Sequence, residues 1–416
     1  MKITTDVYPT SLRESLPASN ELLVGKLTLT QLTQLVGDTP FYAYDRQLIT
    51  NKVSYLKHIL PDKISVSYAI KANPLVSLVH MLSQQVEGFD VASKKEMLLA
   101  LQTGIPANKI SFAGPGKSSD DIQAAIIAGV ILHVESIGEI AKVADAAKKL
   151  QLKAEIAIRV NPSFELKLSG MKMSGGAKPF GIDEEQIAQV LANLPLDVLN
   201  LRGFHIYSGS QNLSADALII SQQQTFALAQ KLADDTKKTT QISIDYLNIG
   251  GGFGIPYFAN QQPLDINRIA KNLKKLLDQY EPLVAATEII LELGRYLVAE
   301  AGIYVCKVID KKVSRGTTYL VCNGGLHHHL ANSGNFGQVI RKNYPVLIGN
   351  KLHNSDEELV NIVGPLCTPL DVIANKVLLP KADIDDYVVV FQSGAYGASA
   401  SPKDFLSQPS LAEILI

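Results

Sequence analysis

Cysteine is scarce in this sequence: the 416 residues include only Cys306, Cys322 and Cys367. None of them forms a Cys-x-x-Cys pair, so neither a disulfide framework nor a cysteine zinc site is expected. An excess of charge of one sign is also lacking, because 39 lysines and arginines stand against 40 aspartates and glutamates. This balance gives no electrostatic reason to expect nucleic acid or an anionic membrane as a partner.

Long hydrophobic runs are missing as well. The longest apolar stretch, Ala124 to Leu132, has roughly half the length that a membrane-spanning helix needs. Residues 1–15 contain no apolar core of the signal-peptide type. We therefore expect a reduced cytoplasmic protein that does not cross a membrane.

The first 300 residues contain short runs rich in β-branched and apolar residues, separated by segments with apolar residues at three- and four-residue spacing. The runs are 64–70, 88–93, 110–114, 131–136, 154–160, 202–209, 246–252 and 289–294. Strands that alternate with helices predict a parallel sheet. Eight such strands fit a closed (β/α)8 barrel of the TIM type better than an open sheet.

The pattern changes after about residue 300, where strand-like runs are joined by turns and loops instead of long helices. This change predicts a second, β-rich domain of sandwich or barrel-like form at the carboxyl terminus. We predict that the barrel covers residues 36–300. Residues 301–416 would form the β-rich domain, completed by the segment 1–35.

Catalytic groups of such a barrel lie at the carboxyl ends of its strands, where the loops converge. The chemically capable residues at these positions are Lys71, Asp90, His133, Arg159, His205, Tyr207, Ser210, Gly250, Gly251, Gly252, Glu292 and Arg295. Each has an ordinary explanation by itself, since a lysine after a strand is usually solvated and a glycine triplet is usually a turn. Together they supply an amine, a backbone cradle for a phosphate and a carboxylate for a pyridine nitrogen, which is the set that pyridoxal phosphate requires.

Seven motifs extend this interpretation over the whole chain. They are YAIKANP, GFDVASKKE, GFHIYSGSQ, NIGGGFG, ELGRYLV, GPLCTPLD and SGAYG, in this order. In these motifs the sequence resembles the pyridoxal-phosphate decarboxylases of the alanine-racemase fold, the family of diaminopimelate and ornithine decarboxylases. The resemblance implies amino-acid decarboxylation in a head-to-tail homodimer whose active sites form between the two subunits.

The resemblance also implies roles for single residues. Lys71 would carry the cofactor as a Schiff base, Asp90 and Arg159 would lie beside its ring, and Glu292 would pair with the pyridine nitrogen. The cofactor-binding set is completed, mainly around the phosphate, by Ser210, Gly250, Gly251, Gly252, Gly294, Arg295 and Tyr396, and Arg295 is also a candidate substrate contact. Cys367 would enter the neighbouring subunit's site as an acid that returns a proton to Cα, or it is an ordinary buried thiol.

One departure from the family pattern concerns the face of the cofactor ring. Tyr207 stands where the family usually places a histidine over the ring, and His205 falls two residues earlier. An aromatic ring can still stack on the cofactor, although it carries no imidazolium charge. We therefore expect both residues in the cofactor site. The reactivity of the cofactor would differ from that in the family, because no imidazolium charge lies over its ring.

Other departures concern the substrate. Relatives have an acidic residue after the cysteine of GPLCTPLD, where it reads a substrate amine, and this chain has Thr368. Asp371 is either a substrate contact or a local turn residue. Arg341 and Tyr344 are further substrate candidates, because they follow a segment that replaces the usual reader of a distal carboxylate. The adjacent histidines 327–329 of that segment point in different directions, so no metal site is expected.

These differences predict poor recognition of the distal end of free diaminopimelate. The substrate is therefore an amino acid of the diaminopimelate, ornithine or lysine type, either free or tethered to an acyl-carrier protein, which would then be a partner. An amino-acid racemase on the same fold stays an alternative. It is disfavoured by Glu292, because alanine racemases are known for an arginine at this place. A non-catalytic regulatory homologue is a second alternative, although such proteins tend to lose cofactor residues and Lys71 is present.

Overall fold

The structure is a computed structural model, and it describes residues 19–416 other than 169, 259, 337, 339 and 340. The first 18 residues of the predicted segment 1–35 lie outside the described part of the chain. The described residues divide into two compact units. The barrel unit comprises Lys52–Gly254 and Leu264–Gly294, and the β unit comprises the described residues up to Asn51, Ile255–Pro263 and Arg295–Ile416. The domain boundaries at residues 36 and 300 stay a prediction.

The barrel unit contains eight parallel strands, which confirms the predicted fold. In chain order, the barrel strands 1 to 8 are Ile64–Ala69, Gly88–Val91, Ile110–Phe112, Ile131–Val134, Ala154–Asn161, Leu199–His205, Tyr246–Gly251 and Glu288–Leu293. Each strand pairs in parallel with the next one, and barrel strand 8 pairs with barrel strand 1. The sheet is therefore closed and has no free edge.

Helices follow most of the strands and complete the βα units. The α-helices of the described chain are Leu29–Val36, Arg46–Ile59, Val76–Leu82, Lys94–Gln102, Ser119–Ala128, Ile137–Leu150, Ile187–Ala192, Ala215–Thr240, Ile266–Gln279, Glu281–Ala286 and Arg295–Val298. Short 3-10 turns occupy Ile70–Ala72, Ala107–Lys109, Glu184–Gln186, Ala299–Ala301, Ala398–Ala400 and Phe405–Ser407. No described helix is both long and apolar enough to cross a membrane.

Serine caps help to place the helices that begin after barrel strands. The side chains of Ser93, Ser118, Ser136 and Ser214 each accept the N–H of the third helical residue, which satisfies one of the unpaired amides at a helix start. Each cap ends the loop that begins at the carboxyl end of a strand. The loops that carry the candidate residues are thereby tied at both ends.

The β unit is built on two groups of mostly antiparallel strands that share the long strand Gly302–Ser314, and each group contains one parallel pair. Its other strands are Leu23–Val24, Leu27–Thr28, Phe41–Tyr44, Thr317–Cys322, Val346–Ile348, Glu357–Val363, Val372–Pro380, Tyr387–Val390 and Ala412–Leu415. The strand Phe41–Tyr44 pairs with both Gly302–Ser314 and Ala412–Leu415. Buried Leu29, Leu32, Phe41, Val305 and Val389 form part of one apolar core in this unit, so the β-rich domain has a core of its own.

Candidate active site

Lys71 lies at the centre of the polar residues at the carboxyl ends of the barrel strands. It belongs to the 3-10 turn that directly follows barrel strand 1. Its Nζ atom is 2.9 Å from Oδ2 of Asp90 at the end of barrel strand 2, and 3.3 Å from Oε1 of Glu292 in barrel strand 8. The two carboxylates are buried, whereas 37% of the Lys71 side chain is exposed. The amine is therefore held between two acids and still accessible.

The pKa of Asp90 reflects this crowding. Burial raises the pKa of the Asp90 carboxyl, the charge of Glu292 raises it further, and the ammonium group of Lys71 opposes the rise. An ammonium group between two buried carboxylates compensates charge that would otherwise be costly to bury. Lys71 is thus coupled electrostatically to both acids before any ligand binds.

A hydrogen-bonded layer lies behind the two carboxylates. Ser111 donates to Oδ1 of Asp90 at 3.2 Å, and Asn248 donates to Oε2 of Glu292 at 3.4 Å. The hydroxyl of Tyr246 is within hydrogen-bonding reach of both Ser111 and Asn248. The layer therefore joins the carboxylates from behind and restricts their rotation. The sequence interpretation missed Ser111, Tyr246 and Asn248, and their signal was a polar residue inside a predicted buried strand.

His205 and Tyr207 follow one another at the end of barrel strand 6. Nε2 of His205 is 3.4 Å from Oε2 of Glu292. Burial holds the pKa of His205 well below its ordinary value, and the charge of Arg159 lowers it further, so the imidazole is neutral at neutral pH. The ring of Tyr207 packs edge-on against His205, and its centroid is 6.0 Å from Nζ of Lys71. The aromatic face near the amine thus belongs to Tyr207, and the imidazole contacts the acid.

The glycine loop after barrel strand 7 leaves no room for side chains. Gly250 and Gly252 have φ angles of 67° and 79°, in the left-handed region that favours glycine. A Cβ atom on Gly251 would lie 1.9 Å from the carbonyl oxygen of Glu292. The buried hydroxyl of Ser210, which follows barrel strand 6, has no hydrogen-bond partner among the described residues. A backbone without side chains and an unpartnered hydroxyl suit an anionic ligand such as a phosphate.

Arg159, at the end of barrel strand 5, is paired with an acid that the sequence interpretation missed. Its NH1 nitrogen donates to both carboxylate oxygens of Glu135 at 2.9 Å. Glu135 also accepts the backbone N–H groups of Gly114 at 2.6 Å and Gly181 at 3.3 Å. The ring of Phe180 lies 5.0 Å from the guanidinium carbon. Glu135 thus fixes the orientation of Arg159, and the signal was an acidic residue directly after a buried strand.

Removal of Glu135 tests this pair. Both side chains are nearly inaccessible, with 6% of Arg159 and 1% of Glu135 exposed, so Glu135→Ala leaves a buried cation without its acid. We expect the free energy of unfolding to fall by about 3–5 kcal/mol, measured by urea titration. As a control, Glu155→Ala breaks the more exposed pair with Arg202, and we expect a loss of at most about 1 kcal/mol. Equal losses in the two variants would contradict the proposed role.

A comparison with known families identifies this arrangement. The family described as "Pyridoxal-dependent decarboxylase, pyridoxal binding domain" matches residues 46–299, which include the whole set of barrel residues above. The chain belongs to the pyridoxal-dependent decarboxylases.

Individual relatives agree with this assignment. An enzyme named L-glutamyl-(BtrI acyl-carrier protein) decarboxylase, from Niallia circulans, is 35% identical over 93% of this chain and 90% of its own length. Diaminopimelate decarboxylase of Campylobacter jejuni is 30% identical over 88% of this chain and 87% of its own. The structure of diaminopimelate decarboxylase from M. jannaschii with L-lysine aligns with a TM-score of 0.85, at 25% identity over 99% of this chain and 92% of that chain.

The barrel residues fit the cofactor of this family. Pyridoxal phosphate needs an amine, an anion site for its phosphate and an acid for its ring nitrogen. The amine of Lys71 is accessible, and the hydroxyl of Ser210 is buried without a partner. A Cβ on Gly294 would lie 3.0 Å from Cβ of Ala72, so Gly294 allows the close packing of the turn that carries Lys71. The chemistry of the donors and the glycine backbone both suit pyridoxal phosphate.

In the β unit, Arg295 is a partly buried cation among aromatic rings. It donates to the hydroxyl of Tyr257 at 2.6 Å, and the centroid of the Tyr396 ring is 4.7 Å from its guanidinium carbon. Tyr344 packs on Tyr257 at a centroid distance of 4.8 Å. No described carboxylate forms an ion pair with Arg295. This pyridoxal-dependent decarboxylase thus has a further candidate anion contact, and the phosphate roles of Arg295 and Tyr396 stay predictions.

Two of the remaining substrate candidates, Asp371 and Arg341, are largely occupied by backbone groups of the β unit. Asp371 accepts the backbone N–H groups of Leu326 at 2.6 Å and Leu366 at 2.8 Å, so its carboxylate joins two backbone segments that are distant in sequence. Arg341 donates to the backbone carbonyl groups of Ser333 and Val372, both at 3.0 Å. These contacts leave little capacity for reading a substrate. Their substrate roles, with those of Tyr344 and Thr368, stay predictions.

The thiol of Cys367 is exposed, whereas the side chains of His328 and His329 are buried. Cys367 is exposed in the single chain, so the alternative of an ordinary buried thiol is wrong, and its role in a neighbouring subunit's site stays a prediction. His328 and His329 are buried and contact the carbonyl oxygen of Pro409 at 3.0 Å and the hydroxyl of Ser393 at 2.9 Å. Burial lowers the pKa of His329 to about 3. These two histidines are therefore neutral, and their hydrogen bonds stabilise the β unit.

Proposed function

We propose that Lys71 carries pyridoxal phosphate in this decarboxylase and that the α-carboxylate of an amino acid leaves as carbon dioxide. The observation that supports it is the accessible amine of Lys71, placed 2.9 Å from Asp90 and 3.3 Å from Glu292. When bound, pyridoxal phosphate supplies an electron-withdrawing ring that takes up the electron pair of the broken Cα–carboxylate bond. The chain's own residues hold that ring, protonate it and exclude competing chemistry.

Glu292 holds a proton at the ring nitrogen. A carboxylate favours the positively charged form of a neighbouring base, and Asn248 keeps one oxygen of Glu292 in place at 3.4 Å. In the absence of a ligand, the negative charge of Asp90 compensates the positive charge of the Lys71 ammonium group. Tyr207 covers the site with an aromatic face. Neutral His205 adds no charge that would compete with the protonated ring.

We further propose that the substrate is an amino acid whose distal end is linked to a carrier protein. The support is that a 35% identical relative is named for L-glutamyl on an acyl-carrier protein. In addition, Thr368 replaces the acidic reader of a substrate amine, and Asp371 and Arg341 are engaged by backbone groups. A pantetheine arm would occupy the space that a free distal group fills in diaminopimelate decarboxylases. The competing substrate is a free diamino acid, since relatives at 30% identity are named diaminopimelate decarboxylases.

Carbon dioxide release distinguishes the two substrates. The purified protein with pyridoxal phosphate would be given carboxyl-labelled glutamate as a carrier-protein thioester, and separately free diaminopimelate, lysine, ornithine, arginine and glutamate. We expect release from the thioester, with kcat/KM at least about 100-fold above that of any free amino acid, because a site without distal readers loses binding energy for free acids. Efficient release from free diaminopimelate would overturn the tethered substrate and retain the decarboxylase.

The assembly state is part of the same proposal. A head-to-tail homodimer would bring Cys367 of one subunit toward the site of the other, as the family resemblance implies. Light scattering at assay concentration tests this, with a mass of twice the 45.1 kDa chain expected. The cytoplasmic location stays a prediction.

A further inference from the structure

His133 is a buried imidazole inside the barrel, beside the hydrogen-bonded layer behind the two carboxylates. It belongs to barrel strand 4 and has no exposed surface. Its Nε2 atom is 2.9 Å from the hydroxyl oxygen of Tyr246, whereas its Nδ1 atom has no hydrogen-bond partner among the described residues. Its ring packs on that of His205 at a centroid distance of 4.3 Å. Tyr246 is therefore the polar contact through which this ring can act.

Both aromatic groups of this contact are neutral. Burial holds the pKa of His133 well below its ordinary value, and the neighbouring His205 lowers it further. A neutral imidazole carries one N–H, either on Nε2 or on Nδ1. Burial also raises the pKa of the Tyr246 hydroxyl, so this group keeps its single proton. The direction of the hydrogen bond between the two rings thus depends on the tautomer of His133.

The number of protons in the layer determines that tautomer. Ionised Asp90 can only accept, so Ser111 must use its one hydroxyl proton to donate to Oδ1 at 3.2 Å. In the contact between Ser111 and Tyr246, the proton must then come from Tyr246. Tyr246 has no second proton for the imidazole, so Nε2 of His133 must carry the N–H. The result is one directed row of donors, here called the donor chain, which runs from His133 through Tyr246 and Ser111 to Asp90.

The other tautomer cannot satisfy the same three contacts. With the proton on Nδ1, His133 would accept the proton of Tyr246, and the oxygen of Ser111 would lose its donor. The buried N–H on Nδ1 would also have no acceptor, which costs the desolvation of that group. The tautomer with the proton on Nε2 therefore goes together with an ionised Asp90.

We infer that His133 is a positioning residue of this decarboxylase. Its Nε2–H sets the direction of the donor chain, and the last donor of the chain favours the ionised carboxylate of Asp90 beside Lys71. Hydrogen bonds in such a row strengthen one another in a buried site. The effect on turnover rests on the proposed roles of Lys71 and Asp90, whereas the donor chain is a property of the protein itself.

Nitrogen NMR of isotope-labelled histidine in the full chain, with and without pyridoxal phosphate, tests the tautomer. The sequence has 8 histidines, and the signal that disappears in His133→Phe identifies this one. We expect a neutral ring with its proton on Nε2, and a mixture of both tautomers in Tyr246→Phe, which lacks the hydroxyl. If His133→Phe does not fold, the signal that changes in Tyr246→Phe provides the assignment. A wild-type ring with its proton on Nδ1 would overturn the inference.

The ionisation of Asp90 is the second measurement. In His133→Phe the chain loses its first donor, so we expect the pKa of the Asp90 carboxyl to rise by about 0.5 or more. Infrared spectroscopy of isotope-labelled aspartate measures this pKa, and Asp90→Asn identifies the band. Tyr246→Phe should raise the pKa at least as much. The double variant should show no larger rise than Tyr246→Phe alone, because both substitutions interrupt one chain.

A matched control and the surrounding charges isolate the chain. Thr287→Val removes a buried hydroxyl that donates to the carbonyl of Ile244 at 3.4 Å, before barrel strand 8 begins, and it should leave the pKa of Asp90 unchanged. The groups that interact electrostatically with Asp90 are Lys71, Glu96, His133, His205, Tyr246 and Glu292. The lysine and the two glutamates are present in every variant used here, so the comparison does not alter their charges.

The pH dependence of carbon dioxide release connects the chain to the reaction. Because a raised pKa keeps Asp90 protonated to a higher pH, the acid limb of kcat/KM should move upward in His133→Phe by the same amount as the pKa. An unchanged pKa of Asp90, additive rises in the double variant, or a raised pKa without movement of the acid limb would each overturn the positioning role. A wild-type protein that binds no cofactor would overturn the proposed function, and the tautomer and the Asp90 titration would still decide on the donor chain.

Discussion

Lys71→Ala is expected to abolish both the visible absorbance of bound pyridoxal phosphate and carbon dioxide release, with turnover reduced by roughly 10³-fold or more. The reason is chemical, because alanine offers no amine to hold the cofactor covalently. The amine is also the cation that balances two buried acids, at 2.9 Å from Asp90 and 3.3 Å from Glu292. Absorbance spectroscopy and labelled carbon dioxide release measure the two effects.

Two control variants separate chemistry from folding. Lys71→Arg keeps a cation between Asp90 and Glu292 but cannot form the covalent link, so we expect it to fold and to lose the absorbance as well. Lys109→Ala removes a lysine that pairs with Glu288 at 2.7 Å at the amino ends of the strands, and we expect it to retain absorbance and turnover. Absorbance and turnover that survive in Lys71→Ala would refute the assignment of Lys71. A wild-type protein that binds no cofactor would instead support a regulatory homologue.

The fold could be predicted from the sequence because its signals are local. Eight apolar runs, most of them followed by a helical pattern, leave few arrangements other than a parallel barrel, and all eight strands are present. The carboxyl ends of parallel strands lie on one side of the barrel, so Lys71, Asp90 and Glu292 could be expected to meet. Their convergence follows from position along each strand and needs no knowledge of register.

The residues that the sequence interpretation missed depend on register and on loop shape. Ser111 reaches Asp90 because these two residues are direct partners across barrel strands 2 and 3. Neither the alternation of apolar residues nor the order of the motifs predicts which residues of two neighbouring strands lie opposite each other. Glu135 was missed for a related reason, since two of its four contacts are backbone N–H groups of loops. Its position directly after a buried strand is visible in the sequence, but the sequence does not say which loop amides the carboxylate binds.

Asp371 was named in the sequence analysis, but its residue type allows either a substrate contact or a structural role. The geometry favours the structural role. An aspartate in GPLCTPLD fits a substrate amine as well as a turn. In the structure its two oxygens accept the N–H groups of Leu326 and Leu366, and Gly325 and Gly364 pack against its carboxylate. Two glycines without side chains are what allow this close approach. Loops distant in sequence, 325–326 and 364–366, are thus joined by one carboxylate.

Glu292→Gln is expected to retain cofactor absorbance and to lower kcat for decarboxylation by about 10²–10³-fold. Glutamine keeps the shape of the side chain and a carbonyl oxygen for Asn248, now 3.4 Å from Oε2. It removes the negative charge that favours a proton on the ring nitrogen, and without that proton the ring takes up electrons less readily. The pKa of Asp90 should also fall, because the charge of Glu292 contributes to its rise.

The matched control lies in the same strand. Glu288 begins barrel strand 8 and pairs with Lys109 at the amino ends of the strands, so Glu288→Gln should leave kcat unchanged. Proton exchange at Cα in D2O, measured beside carbon dioxide release, tests the racemase alternative. Exchange without carbon dioxide loss in the wild-type protein would favour a racemase. Unchanged decarboxylation in Glu292→Gln would mean that the ring proton is held by another group, for which His205, 3.4 Å from the same carboxylate, is the next candidate.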